Sequence, residues 1–196
     1  MGVPSMYTIF ANIPGNRKPD FSSLRICFSG GAALPAEVMK RFETKYNVPI
    51  CEGDGPTECS PATSINPIYG ERKPGSIGKA IPKVQMKIVD QDGNEMSTDE
   101  IGELVVRGEN VMKGYFKMPK ETAESFFEEW YRTGDMGYVD DEDYFYIIDR
   151  KKDMIIVNGM NVYPRMIEEV IISMLRCWKL LLCRNRTIYM ERCRGR

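Results

Sequence analysis

The stretch "CEGDGPTECS", residues 51 to 60, sets a hydroxyl and a carboxylate, Thr57 and Glu58, directly after a glycine-rich bend. Gly53 and Gly55 free the backbone, and Pro56 restrains it again just before the polar pair. Such a pair suits a phosphate held beside Mg²⁺: hydroxyl and loop N–H groups donate to phosphate oxygens, and the carboxylate binds the hard cation. The same residues also suit an ordinary polar loop that caps a helix. Two other stretches carry a similar pair of readings. In "YRTGDMG", Asp135 follows a Thr-Gly turn and is placed to take both hydroxyls of a ribose, or to close a local Asx turn. In "DRKKD", Arg150, Lys151 and Lys152 stand between Asp149 and Asp153, fit for phosphate or ribose oxygens or for a solvated charge run.

The elements that must position these groups fall into two blocks. In the first, Leu24 to Phe28 reads as a short apolar strand ending at the Gly30–Gly31 turn. Pro35 then opens a helix with Val38, Met39 and Phe42 on one face. "VPICEG" is the next buried strand and runs into the quoted loop. Ligands in α/β sheets bind beyond the carboxyl ends of strands, so the two glycine loops are expected to face one crevice. From Pro74 onward the pattern turns to antiparallel β. "VQMKIVD" and "IGELVVRG" form a hairpin with an Asp-Gly signal between them, and "GYVDDEDYFYIID" a second with an acidic tip. "DMIIVNGMNVYP" forms a third, turning at Asn158–Gly159. Pro119 marks a helix start in "MPKETAESFF", and Pro164 opens a short helix through Ile172. The fold class expected is α/β followed by an antiparallel β-barrel portion.

The bulk composition excludes several kinds of function. With 42% hydrophobic and 28% charged residues, the chain has an ordinary globular balance and can bury a core. It lacks a membrane-length apolar run and a signal-like N-terminus, so a cytoplasmic location with at most peripheral membrane contact is expected. A net charge of −1 gives no general attraction to nucleic acid. Histidine is absent, which excludes Ser-His and Cys-His nucleophile pairs within the chain and histidine metal sites. The six cysteines form no Cys-x-x-Cys pair and fit reduced thiols rather than a zinc site. Residues 173–196 differ from the rest: they hold seven of the 27 basic residues and one of the 28 acidic ones, leaving 20 against 27 before them.

Taken in order, SGGAALP, GDGPTE, GSIGKAIP, GELVVRGENVMKGYF, WYRTGDMG and DRKKDMIIVNGMNVYP resemble the AMP-forming acyl-CoA synthetase (adenylate-forming) family. The resemblance runs from about residue 2 to 172 and is greatest to the bacterial long-chain fatty-acid–CoA ligase branch, through GVPSMY and GMNVYPRMIEEVI. It implies an enzyme that adenylates a carboxylic acid with ATP and Mg²⁺, then passes the acyl group to CoA. By that resemblance Gly31 and Ala32 line the adenine pocket and the adjoining acyl tunnel, within a nucleotide site that also takes in Gly53, Asp54 and Gly55. Thr57 touches phosphate, Glu58 holds Mg²⁺, and Asp135 and Arg150 bind the ribose, with Ile147 against the base. Asp149 is the hinge of a small C-terminal domain, and Gly159 lets the pantetheine arm of CoA pass close to backbone. The implied division is 1–148 for the C-terminal part of the large AMP-binding domain and 149–172 for the hinge and the beginning of the small one.

The sequence also departs from the family. Asp54 stands where the family carries an aromatic residue stacked on adenine, and Asp143 where it carries glycine. The resemblance places a phosphate-gripping loop before Met1 and a lysine near the end of the small domain; neither is in this chain. Residues 173–196 have no family counterpart and are expected to be an aberrant basic tail from a frameshift near Val170–Ser173, a membrane-binding tail being the rival reading. Two functions are therefore carried forward. One is a fragment of an acid–CoA ligase completed by a separately encoded N-terminal half. The other is a non-catalytic remnant with at most weak nucleotide or partner binding.

Overall fold

The computed structural model describes residues 1–157, 160–167, 170, 180–182 and 188–190. An initial helix, α1 (Pro4–Asn12), begins with proline at its first turn, where no intrahelical N–H bond is lost. Strand β1 (Cys27–Ser29) follows, then α2 (Ala36–Tyr46) and β2 (Ile50–Asp54). β1 and β2 pair in parallel, with Ser29 opposite Glu52. Helix α2 buries Met39, Phe42 and Tyr46 at helical spacing. These pack with Tyr7, Leu34, Val48 and Ile50 into a single core, in which the Tyr7 ring stands edge-on to Phe42 at 5.2 Å. Asn47, in a left-handed conformation, ends α2.

Two expectations are corrected in this block. The first strand does not begin at Leu24, which lies half exposed in a turn closed by its own N–H onto the Phe21 carbonyl. Pro35 caps α2 from outside the helix, which starts at Ala36. The chain also folds back beyond β2 through β3 (Ser64–Ile65) and β4 (Lys79–Ala80), completing a sheet in the order β1-β2-β3-β4.

The second sheet is antiparallel and curled. β5 (Val84–Val89) pairs β6 (Gly102–Gly108), though the connection spans 90–101 rather than a two-residue turn. Asp90 closes it by accepting the N–H groups of Asp92 and Asn94. Helix α3 (Pro119–Glu124) and β7 (Phe126–Phe127) lead into β8 (Trp130–Val139), which pairs β6, β7 and β9 (Phe145–Arg150). The two sheets are joined where Gly78 bridges Phe145: the Phe145 N–H donates to the Gly78 carbonyl and the Ile77 N–H to the Phe145 carbonyl, both at 2.9 Å. Beyond β9, β10 (Ile155–Val157) and β11 (Met160–Val162) form the third hairpin, and residues 164–167 are helical. The Asn158–Gly159 turn lies outside the described residues, as does most of the basic tail. Within that tail the backbones of β12 (Leu180–Leu182) and β13 (Ile188–Met190) pair antiparallel. No helix of the described residues is long and apolar enough to cross a membrane.

The acidic tip of the β8–β9 hairpin is held by Asp140, whose carboxylate accepts the N–H groups of Glu142 and Tyr144 and the Lys73 ammonium. Asp143 sits in this turn at φ 64°, a left-handed conformation that favours glycine. Replacing Asp143 with glycine is expected to raise stability by about 0.5–1 kcal/mol, part of the conformational gain being offset by a freer unfolded chain. Urea denaturation midpoints of the two proteins measure it.

Candidate functional site

The quoted loop needs its glycines because of the chain's own backbone. A side-chain carbon on Gly55 would lie 1.7 Å from the Pro61 carbonyl oxygen, and one on Gly53 2.7 Å from that of Ser64. The chain thus turns back on itself immediately after β2, and only glycine lets β2 pair so closely with β3. Between these two glycines, Asp54 points its carboxylate at the Thr63 hydroxyl, 3.3 Å away. Burial pushes the Asp54 carboxyl above the usual range, while the Thr63 and Gly55 bonds and the Arg150 charge pull it back.

The two glycine loops do face each other. Gly30 approaches the Gly53 carbonyl, 3.4 Å from where its side chain would begin. Gly31 adopts φ 81°, and Gly31 and Ala32 are exposed beyond the end of β1. What fixes this arrangement is Glu52. Its carboxylate, 6% exposed, accepts the Leu34 N–H at 3.1 Å and the Gly75 N–H at 3.2 Å, tying both flanking loops to β2. The buried run around Glu52 hides this role, because its partners are backbone groups 18 and 23 positions away.

Thr57, Glu58 and Cys59 form one 3₁₀ turn, with Thr57 exposed and Cys59 buried beneath it. The Thr57 hydroxyl does not cap the turn. Glu58 accepts a hydrogen bond from the Tyr115 phenol at 2.8 Å, and its carbonyl accepts the Met112 N–H at 2.7 Å. Burial, then the charges of Asp54 and Glu58, push the Cys59 thiol up to about 12, so it is an inert core group.

Asp135 projects from an irregularity in β8. Between Met136 and Arg132, β8 takes four steps while β6 takes two, from Glu103 to Val105. The surplus contains Gly134 at φ 73°, and the local bulge turns the Asp135 side chain toward Arg150. The Arg150 Nε lies 3.0 Å from the Asp135 carboxylate, across the β8–β9 pairing. The two strands slip again one step further on, leaving Ile148 without a partner between Met136–Asp149 and Gly137–Ile147. Burial raises Asp135 to about 6; Arg150 opposes this, but Asp54 and Glu103 add to it. Asp54, Asp135 and Arg150 therefore share one electrostatic neighbourhood.

The remaining expected residues are placed differently. Ile147 packs with Ile88, Leu104 and Phe145, so it serves the core of the curled sheet. Lys151 ion-pairs with Glu103 at 2.8 Å and is not a free cation for ligand oxygens. Asp149 accepts the N–H of Arg150 at 2.8 Å and that of Arg165 at 3.2 Å, linking the end of β9 to the short helical segment. Gly159 lies outside the described residues. Among those described, no three acidic or cysteine groups cluster as a self-sufficient metal site. A single carboxylate such as Glu58 still fits Mg²⁺, which is commonly held by one or two carboxylates and the substrate's own phosphates.

A sequence model for the AMP-binding enzymes matches residues 1–116. The long-chain-fatty-acid–CoA ligase of Bacillus subtilis (strain 168) is 45% identical over 171 residues, covering 87% of this chain and 30% of that protein. The protein of the same name from Escherichia coli O157:H7 is 41% identical over 172 residues, covering 88% of this chain and 31% of its own length. Among solved structures, ATP-bound MatB from Rhodopseudomonas palustris superposes with a TM-score of 0.83 at 36% identity, covering 88% of this chain and 35% of that one. The chain thus spans about a third of the length of the relatives it matches.

The two buried carboxylates of this neighbourhood titrate in opposite directions. Burial opposes charge on Glu103, yet its bonds to Arg132 and Lys151 win and hold it below the usual range. It stabilises the fold above the usual carboxylate pKa, and that contribution is lost as pH falls through its lowered value. Asp135 is raised, so its contribution is complete below 3.8 and lost as pH rises through about 6. Asp135→Asn is therefore expected to leave stability unchanged near pH 3.5 and to raise it by about 1–3 kcal/mol at pH 7.5. Glu103→Gln is expected to cost about 2–3 kcal/mol at pH 7.5, reduced from a fully buried pair because Arg132 and Lys151 are partly solvated. Chemical denaturation at the two pH values tests both.

Proposed function

Because the chain belongs to the AMP-binding enzyme family, we propose that it carries nucleotide-holding residues of an ATP-dependent acid–CoA ligase, acting on long-chain fatty acids. The observation that carries this reading is the Asp135–Arg150 pair, a half-buried carboxylate raised to about 6 beside the Asp54 loop. A carboxylate left costly to ionise beside a cation and a glycine-rich loop supports a binding role.

In this reading the acid's carboxylate oxygen attacks the α-phosphorus of ATP, and the bond to pyrophosphate breaks. The CoA thiol then attacks the acyl carbon, and AMP leaves. Asp135 would accept the ribose hydroxyls and Arg150 would steady it, while Thr57 would donate to a phosphate oxygen. Glu58 would hold Mg²⁺, which would supply positive charge against the phosphates. Gly31, Ala32, Gly53 and Gly55 would border the nucleotide and the acyl group as backbone, and Ile147 would support the base through the core it packs in. Residues 1–148 would belong to the large domain, and Asp149 would be the hinge for a small domain beginning at 149–172. Gly159 would line the path of CoA. The fatty-acid preference follows the names of the most similar relatives.

Asp54 favours a second reading, in which this chain binds nucleotide weakly and performs no chemistry. Its carboxylate adds negative charge to a neighbourhood already holding Asp135, and cannot stack on a purine as an aromatic residue would.

ATP binding by the purified chain, followed by pyrophosphate release on adding Mg²⁺ and a long-chain fatty acid, separates the readings. Binding with acid-dependent release supports the ligase. Binding without release supports the second reading. A folded chain that does not bind ATP overturns the ligase reading. Asp135→Ala is expected to weaken ATP binding about 10- to 100-fold, the worth of hydrogen bonds to a charged acceptor.

A further inference from the structure

The loop following β6 grips the Thr57–Cys59 turn at three separate points. The Asn110 side-chain N–H₂ donates to the Cys59 carbonyl at 2.8 Å and the Ala62 carbonyl at 2.9 Å. The Met112 N–H donates to the Glu58 carbonyl at 2.7 Å. The Tyr115 phenol donates to Glu58 Oε1 at 2.8 Å, across 57 positions of sequence. The first two contacts fix the backbone of the turn. Only the third touches the carboxylate.

Tyr115 is itself anchored. Its N–H donates to the Thr122 hydroxyl at 2.9 Å, at the start of α3. Gly114 before it lies so close that a side chain there would meet the Thr122 methyl at 2.6 Å. Behind it stands Tyr131, 5% exposed, its phenol pushed up by burial and then by its bond with Tyr115. Val84, Val106 and Cys59 pack around Tyr131, with Val111 and Met112 of the gripping loop against them. The Tyr115 phenol is therefore backed by a core of the curled sheet into which Cys59 of the turn packs. Among the described residues, the other Glu58 oxygen, Oε2, accepts no hydrogen bond.

We infer that Tyr115 is a positioning residue for Glu58: its phenol fixes one carboxylate oxygen and leaves the other to take a divalent cation beside a nucleotide's phosphates. The inference rests on the reading of Glu58 as the Mg²⁺ carboxylate. An oriented carboxylate presents one oxygen without first losing rotational freedom, which is how outer partners strengthen metal ligands.

ATP affinity of the full chain, measured by titration calorimetry with Mg²⁺ and again with EDTA, tests it in four proteins: wild type, Tyr115→Phe, Glu58→Gln and the double variant. Tyr115→Phe is expected to weaken binding about tenfold with Mg²⁺ and to leave it unchanged in EDTA. Glu58→Gln is expected to abolish the Mg²⁺ effect, and the double variant to match it. A merely structural tyrosine would weaken binding equally in both conditions, and that result overturns the inference. So does Glu58→Gln losing the Mg²⁺ effect while Tyr115→Phe keeps it in full. If Glu58→Gln keeps the Mg²⁺ effect, or the folded wild type shows none, the reading of Glu58 fails and the inference falls with it.

Discussion

Glu103 is a carboxylate on the central strand of the curled sheet, and water scarcely reaches it. A charge in that position is tolerable only if cations come to meet it. Two do: Arg132 from β8 at 2.5 Å and Lys151 from just beyond β9 at 2.8 Å. The three groups bind β6, β8 and the end of β9 into one unit at the place where both pairings are irregular. Lys151 is held twice, since its N–H also donates to the Gly134 carbonyl at 2.8 Å. Gly134 is the residue whose positive φ lets Asp135 leave the strand's ordinary face. The geometry of Asp135 and Arg150 thus depends on the Glu103 ion pairs beside them.

The first sheet meets a different constraint, which is space. The backbone after β2 returns so closely over Gly55 that any side chain there would overlap it. The same crowding recurs at Gly78, where a side-chain carbon would lie 2.0 Å from the Ile65 backbone. Gly78 is also the residue that bridges Phe145 in the curled sheet. Close approach at Gly55 folds the turn after β2 back onto residues 61–62, and at Gly78 it lets the first sheet join β9. The glycines act here as permission for backbone to touch backbone. The cost is a loop with no spare room, in which the buried Asp54 carboxylate is bonded by Thr63 and the Gly55 N–H, with the Arg150 charge nearby.

Sequence reading succeeded where the signal was local. Alternation in "VQMKIVD" and the spacing of Met39 and Phe42 depend on neighbours within a few positions, and β5 and α2 lie as expected. Asp143 was marked by the resemblance, which places glycine there, and its φ of 64° gives that preference its physical reason. The ordered motifs located Asp54, Glu58, Asp135 and Arg150, and the fold draws Asp54, Asp135 and Arg150 together. What escaped was every long-range partner. Nothing in "DRKKD" distinguishes Arg150, which faces Asp135, from Lys151, which faces Glu103. That choice is made by strand register and a bulge. Glu52 escaped because its partners are backbone N–H groups, which any residue supplies. Tyr115 escaped because its partner lies 57 positions away, in the Thr57–Cys59 turn.

The division between scaffold and site can be drawn from electrostatics without reference to any relative. Glu52 and Glu103 are acidic residues that the fold surrounds with donors, and Glu103 is correspondingly easy to ionise. Asp54 and Asp135 lie nearby and are held above their ordinary range, short of donors for the burial they suffer. A fold able to satisfy two buried carboxylates has the means to satisfy four. Leaving Asp135 underserved therefore costs stability, a cost that the hydroxyls of a bound ribose would offset under the proposed function. Asp54 shows the same shortage of donors, but it sits inside a loop closed by its own backbone, where a ligand would meet a second negative charge. The same shortage of donors that fits Asp135 to the proposed ribose-binding role makes Asp54 a burden on it.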